Sequence, residues 1–314
     1  MLRQTPGPKY TASMRIRSMV ITAFGLLMMG TSQGRQNSVR ELAPGVFFWQ
    51  GDRDQRQPAN SMWVVFKDHV LVIDANFPWA AQEIISEIKK TTSKPVRFVF
   101  DTHWHNDHTF GNCVYVDAGA TLVSSQECAE ELATRGVTGW KNWNETAHSL
   151  SGYRLELPTM TFSDKIVFDD GAMRVEISRV PASHSKGDAI AYLPKQRILV
   201  TGDLCVNWAW GNNLGDSAAN PENWIRVLDQ ISRWDVQTVV AGHGAPVDLQ
   251  KLRQQREYLA DMLAQVRAGL GAGKTADELA GGIDLSRYGT FGVNAGANAT
   301  SIRAVYRYLK SLSN

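Results

Sequence analysis

The chain has 314 residues, of which 33 are Lys or Arg, 31 Asp or Glu, 7 His and 3 Cys. With 43% apolar and 20% charged residues it can bury a full hydrophobic core, which argues against intrinsic disorder. A net charge of +2 is too even for a nucleic-acid-binding surface, and three Cys cannot build a disulfide framework or a four-thiolate zinc site.

The N-terminal segment has the order of a secretory signal. Residues 1–32 carry four basic and no acidic side chains, and an apolar run over 19–29 precedes the small residues at 30–32. The run has about 11 residues, whereas a membrane span needs roughly 20. We predict a signal peptide over 1–32, with Met14 as an alternative start, and a periplasmic or secreted protein. An uncleaved N-terminal anchor is the alternative, and no other stretch predicts a membrane helix.

Short strands dominate the chain after about residue 40. Apolar runs bounded by turn residues predict strands over 46–50, 62–66, 70–74 and 96–100. Helical periodicity predicts helices over 80–90 and 126–135, the second capped by Ser124 or Ser125. Residues 137–151 place Trp140 and Trp143 among Gly, Asn, Thr and Ser, and we predict a loop there.

The second half again runs from strands into helices. Strands are predicted over 165–168, 173–180, 189–193, 197–201 and 236–240. A second Trp-containing loop over 208–220 leads to a helix over 221–234, with Asn220 as N-cap and Pro221 at its first position. From Val247 the chain is mainly helical, ending in 301–312. This order predicts two mixed sheets between helices, an αββα arrangement, although periodicity alone does not separate it from other mixed α/β folds.

Ligand-type side chains follow the predicted strand 96–100 directly, in an H-x-H-x-D-H string. They are His103, His105, Asp107 and His108. On an extended segment residues i and i+2 point the same way, so His103 and His105 can bind one ion together. If a helix then begins, Asp107 and His108 face a second ion. Imidazole and carboxylate are typical zinc ligands, and a polar surface loop would not follow a buried strand so abruptly.

Three further strand ends carry one ligand-type side chain each. His184 follows the run 180–183, Asp203 follows 198–202 and His243 follows 239–242. Strand ends that meet at one edge of a sheet are the usual place for a binding site. The repetition of this pattern indicates that these residues share one site.

Over roughly residues 40–250 the chain resembles the metallo-β-lactamase superfamily. The resemblance implies that His103, His105 and His184 bind a first metal and that Asp107, His108 and His243 bind a second, with Asp203 bridging the two. It also implies that Asp74, at the end of the strand 70–74, supports the ligands. The expected fold is the four-layer αββα sandwich of that family, with residues 251–314 as a C-terminal helical extension packed on the same domain. Two zinc ions are expected, with iron or manganese as alternatives because a carboxylate hardens the site.

Such a pair of ions implies metal-assisted hydrolysis. Two ions about 3.5–4 Å apart share a water and lower its pKa from 15.7 to about 7. The bridging hydroxide is then the nucleophile, and Asp107 both binds metal and orients it. We therefore expect a dinuclear hydrolase acting on an amide, ester or thioester of a small molecule. The alternatives are a periplasmic hydrolase or relay component of sulfur or quinoprotein-linked metabolism, and a non-catalytic metal-binding protein.

The loop at 211–216 bears on β-lactam hydrolysis. Its G-N-N-L-G-D string and the later Trp224 resemble class B β-lactamases of the cysteine-ligand type, in which the Asn matching Asn213 lies near the substrate carbonyl. However, Asp203 stands where those enzymes have a ligand Cys, and Val206 stands where they have the Lys that binds the drug carboxylate. Cys205 does not align with the ligand Cys. Binding of anionic drugs should therefore be weaker.

Several residues keep two interpretations. Trp140, Trp143, Trp208 and Trp210 either line a pocket for a bulky apolar or ring-bearing substrate or fasten loops to the sheet. His69 and His148 fall outside every motif and are interpreted as turn and loop residues. Two of Cys113, Cys128 and Cys205 can pair after export, or all three stay reduced, and the sequence does not choose the pair. We expect no nucleic-acid partner and no membrane partner beyond the signal segment, and the oligomeric state stays open.

Overall fold

The computed structural model describes residues 39–147, 150–208 and 214–312. The predicted signal peptide over 1–32 lies outside the described residues, as do three residues that the sequence singled out, His148, Trp210 and Asn213. Among the described helices, none combines the length and the apolar character that a membrane span requires.

The first sheet has seven strands that lie side by side in chain order, within the described residues. The strands are β1 Val39–Ala43, β2 Val46–Trp49, β3 Ser61–Val65, β4 Val70–Ile73, β5 Val96–Asp101, β6 Thr121–Ser125 and β7 Met160–Phe162. The first three pairings are antiparallel and the last three are parallel. Parallel pairing brings the carboxyl ends of β4, β5 and β6 to the same edge of the sheet.

The second half of the chain forms a five-stranded sheet and a separate short pair. The strands are β8 Lys165–Asp169, β9 Arg174–Arg179, β10 Ala189–Leu193, β11 Ile198–Val200, β12 Val206–Asn207, β13 Thr238–Val240 and β14 His243–Gly244. The five-stranded sheet has the order β13-β11-β10-β9-β8, and only its β11–β13 pairing is parallel. The short strands β12 and β14 pair in parallel, so that Val206 lies opposite His243.

Helices cover the outer faces of the two sheets. They are α1 Pro78–Thr91, α2 Asn106–Thr109, α3 Asn112–Asp117, α4 Gln126–Glu131, α5 Val137–Ala147, α6 Pro221–Ile231, α7 Leu249–Gly271, α8 Ala276–Gly282 and α9 Ala295–Ser311. A π-helical turn, Leu132–Gly136, joins α4 to α5, and 3₁₀ turns lie at Gly202–Leu204 and Ser286–Phe291. The predicted caps form, since Ser125 accepts from the N–H of Cys128 and Asn220 accepts from that of Asn223.

Three apolar cores define the layers. Inward side chains of the two sheets pack against each other, among them Val64, Leu71, Phe100, Ile177, Ala191 and Val200. The outer face of the first sheet packs on α1 and α3 through side chains such as Ile84 and Tyr115. The outer face of the second packs on α6, α7 and α9 through Trp224, Leu259 and Ile302. The predicted αββα order of two mixed sheets between helices is confirmed.

The predicted loop at 137–151 is wrong over most of its length. The chain is helical there through Ala147, the last residue of α5. Trp140 packs edge-on against Phe110 and Trp143 stacks on Phe77, with centroid separations of 4.9 and 5.0 Å. Trp140 and Trp143 are three residues apart and therefore lie on the same face of α5. Their contacts with Phe110 and Phe77 make this face apolar, although most of the other residues in the segment are polar.

The three cysteines do not pair with one another. Cys113, Cys128 and Cys205 are all buried and carry free thiols. Burial raises the pKa of each thiol, to about 12 for Cys205. The sequence left the pairing open, and the fold places each thiol in a separate buried position.

Candidate metal centre

Seven ligand-type side chains converge where strands from both sheets end. His103 and His105 follow β5 directly, and Asp107 and His108 lie on the short helix α2 that begins at Asn106. The remaining three come from the second half of the chain. They are His184 in the β9–β10 connection, Asp203 in the 3₁₀ turn after β11, and His243 in β14. The ligand positions predicted at four separate strand ends are therefore brought together.

The first group consists of His103, His105, His184 and Asp203. One nitrogen or oxygen from each lies within 4.8 Å of the corresponding atoms of the others. His184 Nε2 is 3.0 Å from His105 Nδ1 and 3.5 Å from Asp203 Oδ2. The side chain of His105 is 13% exposed and the other three are almost fully buried, so the group opens to solvent on the His105 side.

The second group consists of Asp107, His108 and His243, and one nitrogen or oxygen of each again lies within 4.8 Å of those of the others. His243 Nε2 is 3.4 Å from Asp107 Oδ2. Asp203 adjoins this group with its other oxygen, because Oδ1 lies 3.2 Å from His243 Nε2 and 3.4 Å from His108 Nε2. The Asp203 carboxylate therefore lies between the two groups with one oxygen toward each.

Unpaired buried atoms show that the two groups fit divalent metal ions. Among the described residues, His103 Nε2, His108 Nε2 and Asp203 Oδ1 are buried and make no hydrogen bond of good geometry, although Asp203 Oδ1 lies close to the Nε2 atoms of His108 and His243. Leaving such atoms unpaired costs about 1–3 kcal/mol each, so native proteins pair them or bind a ligand there. Imidazole nitrogens and carboxylate oxygens in groups of three or four are the donors that zinc and other divalent ions take.

The second group is oriented from inside the fold. His108 Nδ1 lies 2.9 Å from Asp74 Oδ2, and the same carboxylate accepts hydrogen bonds from the N–H and hydroxyl of Thr102. Asp74 has a φ of 61°, a left-handed conformation that is uncommon outside glycine and is enriched at functional sites. His243 Nδ1 lies 2.7 Å from the carbonyl oxygen of Pro58. Each imidazole thus has its second nitrogen fixed and its Nε2 left for a metal.

The first group is oriented by side chains from separate segments. His105 Nε2 lies 3.0 Å from Asp216 Oδ2. Asp188 accepts the backbone N–H groups of Ser183, His184 and Ser185, which fixes the turn that carries His184. In addition, Trp224 packs edge-on against the His184 ring with a centroid separation of 5.5 Å.

Two glycines permit the close approach of the segments that carry Asp203. A Cβ at Gly242 would lie 2.1 Å from Asp203 Oδ1, and a Cβ at Gly202 would lie 2.4 Å from Thr102 Oγ1. Gly202 also has a φ of +50°. Any side chain at either position would therefore displace Asp203 or the strand-end residue Thr102.

The pKa values separate the imidazoles into two kinds. Burial lowers the pKa of His103 well below its ordinary value and lowers that of His184 to about 4. Burial opposes the charged form of His108 as well, but Asp74, Asp107 and Asp203 outweigh it and raise the pKa of His108. Burial also acts to raise the pKa of Asp203, yet the adjacent His243 and His108 hold it well below its ordinary value. Neutral His103 and His184 beside an ionised Asp203 are in the protonation states that metal binding requires.

The remaining residues that the sequence singled out are not among the seven ligands. Val206 is buried and lies in β12 opposite His243, and Cys205 is a buried free thiol in the apolar core that also contains Trp224 and Leu259. Trp208 stacks on His243, with a centroid separation of 3.8 Å and an interplanar angle of 9°. His69 lies next to β4 at the opposite end from the ligands, stacked on Phe66.

The sequence did not identify several residues that orient the ligands. Asp216 was visible only as the end of the 211–216 string, and nothing in the sequence linked it to His105. The Pro58 carbonyl and Asp188 carried no signal either, because a backbone acceptor or a lone acid has no motif. Such roles depend on contacts between residues far apart in the chain, such as the 111 residues that separate His105 from Asp216.

Comparison with known proteins shows which family the sequence matches. The sequence model of the metallo-beta-lactamase superfamily matches residues 55–243, more than half of the chain. A linear primary-alkylsulfatase from Pseudomonas sp. is 23% identical over 239 residues, which are 63% of this chain and 44% of the relative. The chain thus spans less than half the length of this curated relative.

Solved structures share the fold, and two of them cover different shares of this chain. A metallo-beta-lactamase from Pontibacter korlensis has a TM-score of 0.59 at 23% identity, covering 71% of this chain and 98% of its own. A stereoselective inverting sec-alkylsulfatase from Pseudomonas sp. has a TM-score of 0.67 at 17% identity, covering 87% of this chain and 50% of its own. At 87% coverage, the second similarity extends into the helices after residue 248.

Proposed function

Because the chain belongs to the metallo-beta-lactamase superfamily, we propose that it is a dinuclear metallohydrolase that cleaves an amide, ester or thioester bond of a small molecule. The observation that carries the proposal is the position of Asp203 between two ligand groups that hold unpaired buried donor atoms. The first group would hold one divalent ion and the second group the other, with Asp203 shared.

When bound, a pair of divalent ions supplies Lewis acidity and makes a water acidic enough to ionise near neutral pH. The protein side chains supply position. Asp107 is 19% exposed on the open side of the second group, where its carboxylate can accept a proton or orient a water. Asn213 is proposed, from its place in the lactamase-like string, to hydrogen-bond the substrate carbonyl; it lies outside the described residues.

The ligand set argues against efficient β-lactam hydrolysis. Asp203 supplies a carboxylate where β-lactamases of the cysteine-ligand type use a thiolate, and the buried Val206 leaves no cation at the position of their drug-binding Lys. A β-lactam carboxylate would lose a charge-assisted hydrogen bond worth about 1.5–3 kcal/mol. We therefore propose weak β-lactamase activity at most.

Hydrolysis of a sulfate ester is the second candidate. It is favoured by the alkylsulfatase relative, which is 23% identical over 239 residues, and by the sec-alkylsulfatase fold that covers 87% of this chain. Both relatives are named for cleaving sulfate esters, and this reading agrees with a role in sulfur metabolism. The proposed place of action is the periplasm or the medium, because of the predicted signal peptide.

Metal analysis and a substrate panel test these proposals. The purified chain should bind about two divalent ions, zinc first, with iron and manganese tested in parallel. The loaded protein is then offered nitrocefin, lactones, thioesters and alkyl sulfates. Turnover of a thioester or lactone supports the leading proposal, and turnover of alkyl sulfates alone supports the second. Two bound ions without turnover of any ester, amide or sulfate would favour a metal-binding protein and contradict both.

A further inference from the structure

Two charged side chains, Arg135 and Asp216, connect the turn between α4 and α5 to the first ligand group. Arg135 lies in the π-helical turn between α4 and α5, and its Nη1 donates to Asp216 Oδ1 over 3.0 Å. The other oxygen of Asp216 lies 3.0 Å from His105 Nε2. The Asp216 side chain is 0% exposed whereas that of Arg135 is 36% exposed, so the guanidinium reaches from the surface to a buried acid.

Arg135 is itself held on two further sides. Its Nη1 lies 3.2 Å from Glu131 Oε2, one helical turn earlier. Its guanidinium carbon lies 4.4 Å from the ring centroid of Trp104, the residue between the first two histidines. Stacking on Trp and hydrogen bonding to acids together fix the plane of a guanidinium. The extra residue of a π-helical turn is also a feature found frequently at functional sites.

We propose that Arg135 is a positioning residue for the metal centre, acting through Asp216 on His105. Together with the Ala218 N–H, which donates to the same oxygen over 2.7 Å, Arg135 occupies Oδ1, fixes the rotation of the Asp216 carboxylate and leaves Oδ2 aimed at the histidine. An ionised carboxylate only accepts, so His105 must carry its proton on Nε2. The lone pair of Nδ1 then faces the first group, 3.0 Å from His184 Nε2.

The inference rests on the proposed function in one respect, which is that the first group binds a metal ion. Partners that orient a ligand histidine typically contribute 10–100-fold to metal affinity. Arg135 is one step further from the metal than Asp216, so its removal should have the smaller effect. Since the two residues act in series, removing both should cost no more than removing Asp216 alone.

Two measurements test whether Arg135 acts through Asp216. One is the zinc affinity, measured by chelator competition, and the other is the visible spectrum of the Co²⁺-loaded protein. We expect Arg135→Met to weaken zinc binding about 10-fold and Asp216→Asn to weaken it by about 10–100-fold, with the double variant equal to Asp216→Asn. Arg135→Lys keeps the charge without the planar fork and should fall between wild type and Arg135→Met. The Co²⁺ bands should shift in Arg135→Met, because the His105 ring is no longer fixed.

Arg179→Met is the matched control. Arg179 is 34% exposed, pairs with Glu127 of α4 and donates to the carbonyl of Ser163, and neither partner is one of the seven ligands. It should leave zinc affinity and the Co²⁺ spectrum unchanged. Unchanged affinity in Arg135→Met, or additive losses in the double variant, would overturn the proposal. If Arg135→Met does not fold, the comparison of Arg135→Lys with Arg179→Met decides. A wild-type protein that binds no zinc, iron or manganese would instead overturn the proposed metal site itself.

Discussion

The two ligand groups are oriented by different parts of the molecule. The second group is fixed from within, by Asp74 at the end of β4 and by the backbone carbonyl of Pro58. The first group depends on Asp216, a side chain from a loop outside both sheets that Arg135 holds from the surface. One group is thus supported by the sheet framework and the other by contacts between separate segments.

The difference indicates which half of the centre is easier to disturb. The Pro58 carbonyl and the Asp74 carboxylate, which the Thr102 N–H fixes, can move only if the edge of the sheet moves. Opening buried strands costs a free energy close to the full stability of the domain. The Asp216 side chain is held instead by the Ala218 N–H of its own loop and by the partly exposed Arg135, neither of which belongs to a strand. We therefore expect the first group to lose its ion more readily, and the following variants test this ordering from the largest expected effect to the smallest.

Removing the shared ligand should have the largest effect. Asp203→Ala removes the carboxylate that adjoins both groups, so the protein should lose at least one ion and about 10³-fold or more in kcat/KM. Metal content by elemental analysis and turnover on the best substrate measure both. Asp164→Ala, which removes an exposed acid far from the ligands in sequence, should behave as wild type. Full metal content in Asp203→Ala would show that the two groups are independent.

The acids that orient the two groups provide the direct comparison. Asp74→Asn keeps a side chain that tolerates the left-handed backbone but weakens the bond to His108, and it should lower zinc affinity at the second group about 10–100-fold. It should also lower the free energy of unfolding by about 1–3 kcal/mol, since Thr102 loses an acceptor. In stepwise zinc titrations, Asp74→Asn should lose the ion of the second group first, and Asp216→Asn should lose the ion of the first group first. Loss of the same ion in both variants would contradict the division.

Overpacking at Gly242 should disturb the centre without removing a ligand. In Gly242→Ala the new Cβ would lie 2.1 Å from Asp203 Oδ1, so the carboxylate must move. We expect a stability loss of about 1–3 kcal/mol and reduced metal content. Gly281→Ala is the control, because nothing lies within 4 Å of its Cβ position and Ala favours the helix α8. Equal metal content in the two variants would show that the site adjusts to the extra methyl group.

The Trp residues of α5 should affect stability more than catalysis. Trp143 stacks on Phe77 and is half-buried, so Trp143→Ala should lower the free energy of unfolding by about 2 kcal/mol with little change in KM. Denaturant unfolding and steady-state kinetics separate the two readouts. A raised KM in Trp143→Ala and Trp140→Ala would instead support the hypothesis that these rings line the substrate pocket.

Thiol chemistry should show the smallest response. All three cysteines are buried and their thiol pKa values are raised, to about 12 for Cys205. The thiolate is the reactive form, so the native chain should react with none of its thiols at neutral pH and with all three after denaturation. Counting modified thiols by mass spectrometry checks this. Rapid modification of Cys205 in the native protein would show that the interior beside Asp203 opens readily.

Much of the fold and the ligand set was available from the sequence. The positions of strands and helices followed from the periodicity of apolar residues, which is a local property of the sequence. The four strand ends were recognisable because each apolar run is followed by a ligand-type residue. The helix α5 was missed because the apolar partners of Trp140 and Trp143 are Phe110 and Phe77, outside the segment itself.

The supports of the centre were decided by tertiary structure alone. His103, His105, Asp107 and His108 are four ligands within six residues, so spacing on one segment reveals them. Their orientation depends instead on Pro58, Asp216 and Arg135, which meet the ligands only after the two halves of the chain have packed together. A short motif records which atoms can bind a metal, whereas the direction of each lone pair is set by hydrogen bonds between distant residues, and the spacing of residues along the chain carries no trace of those bonds.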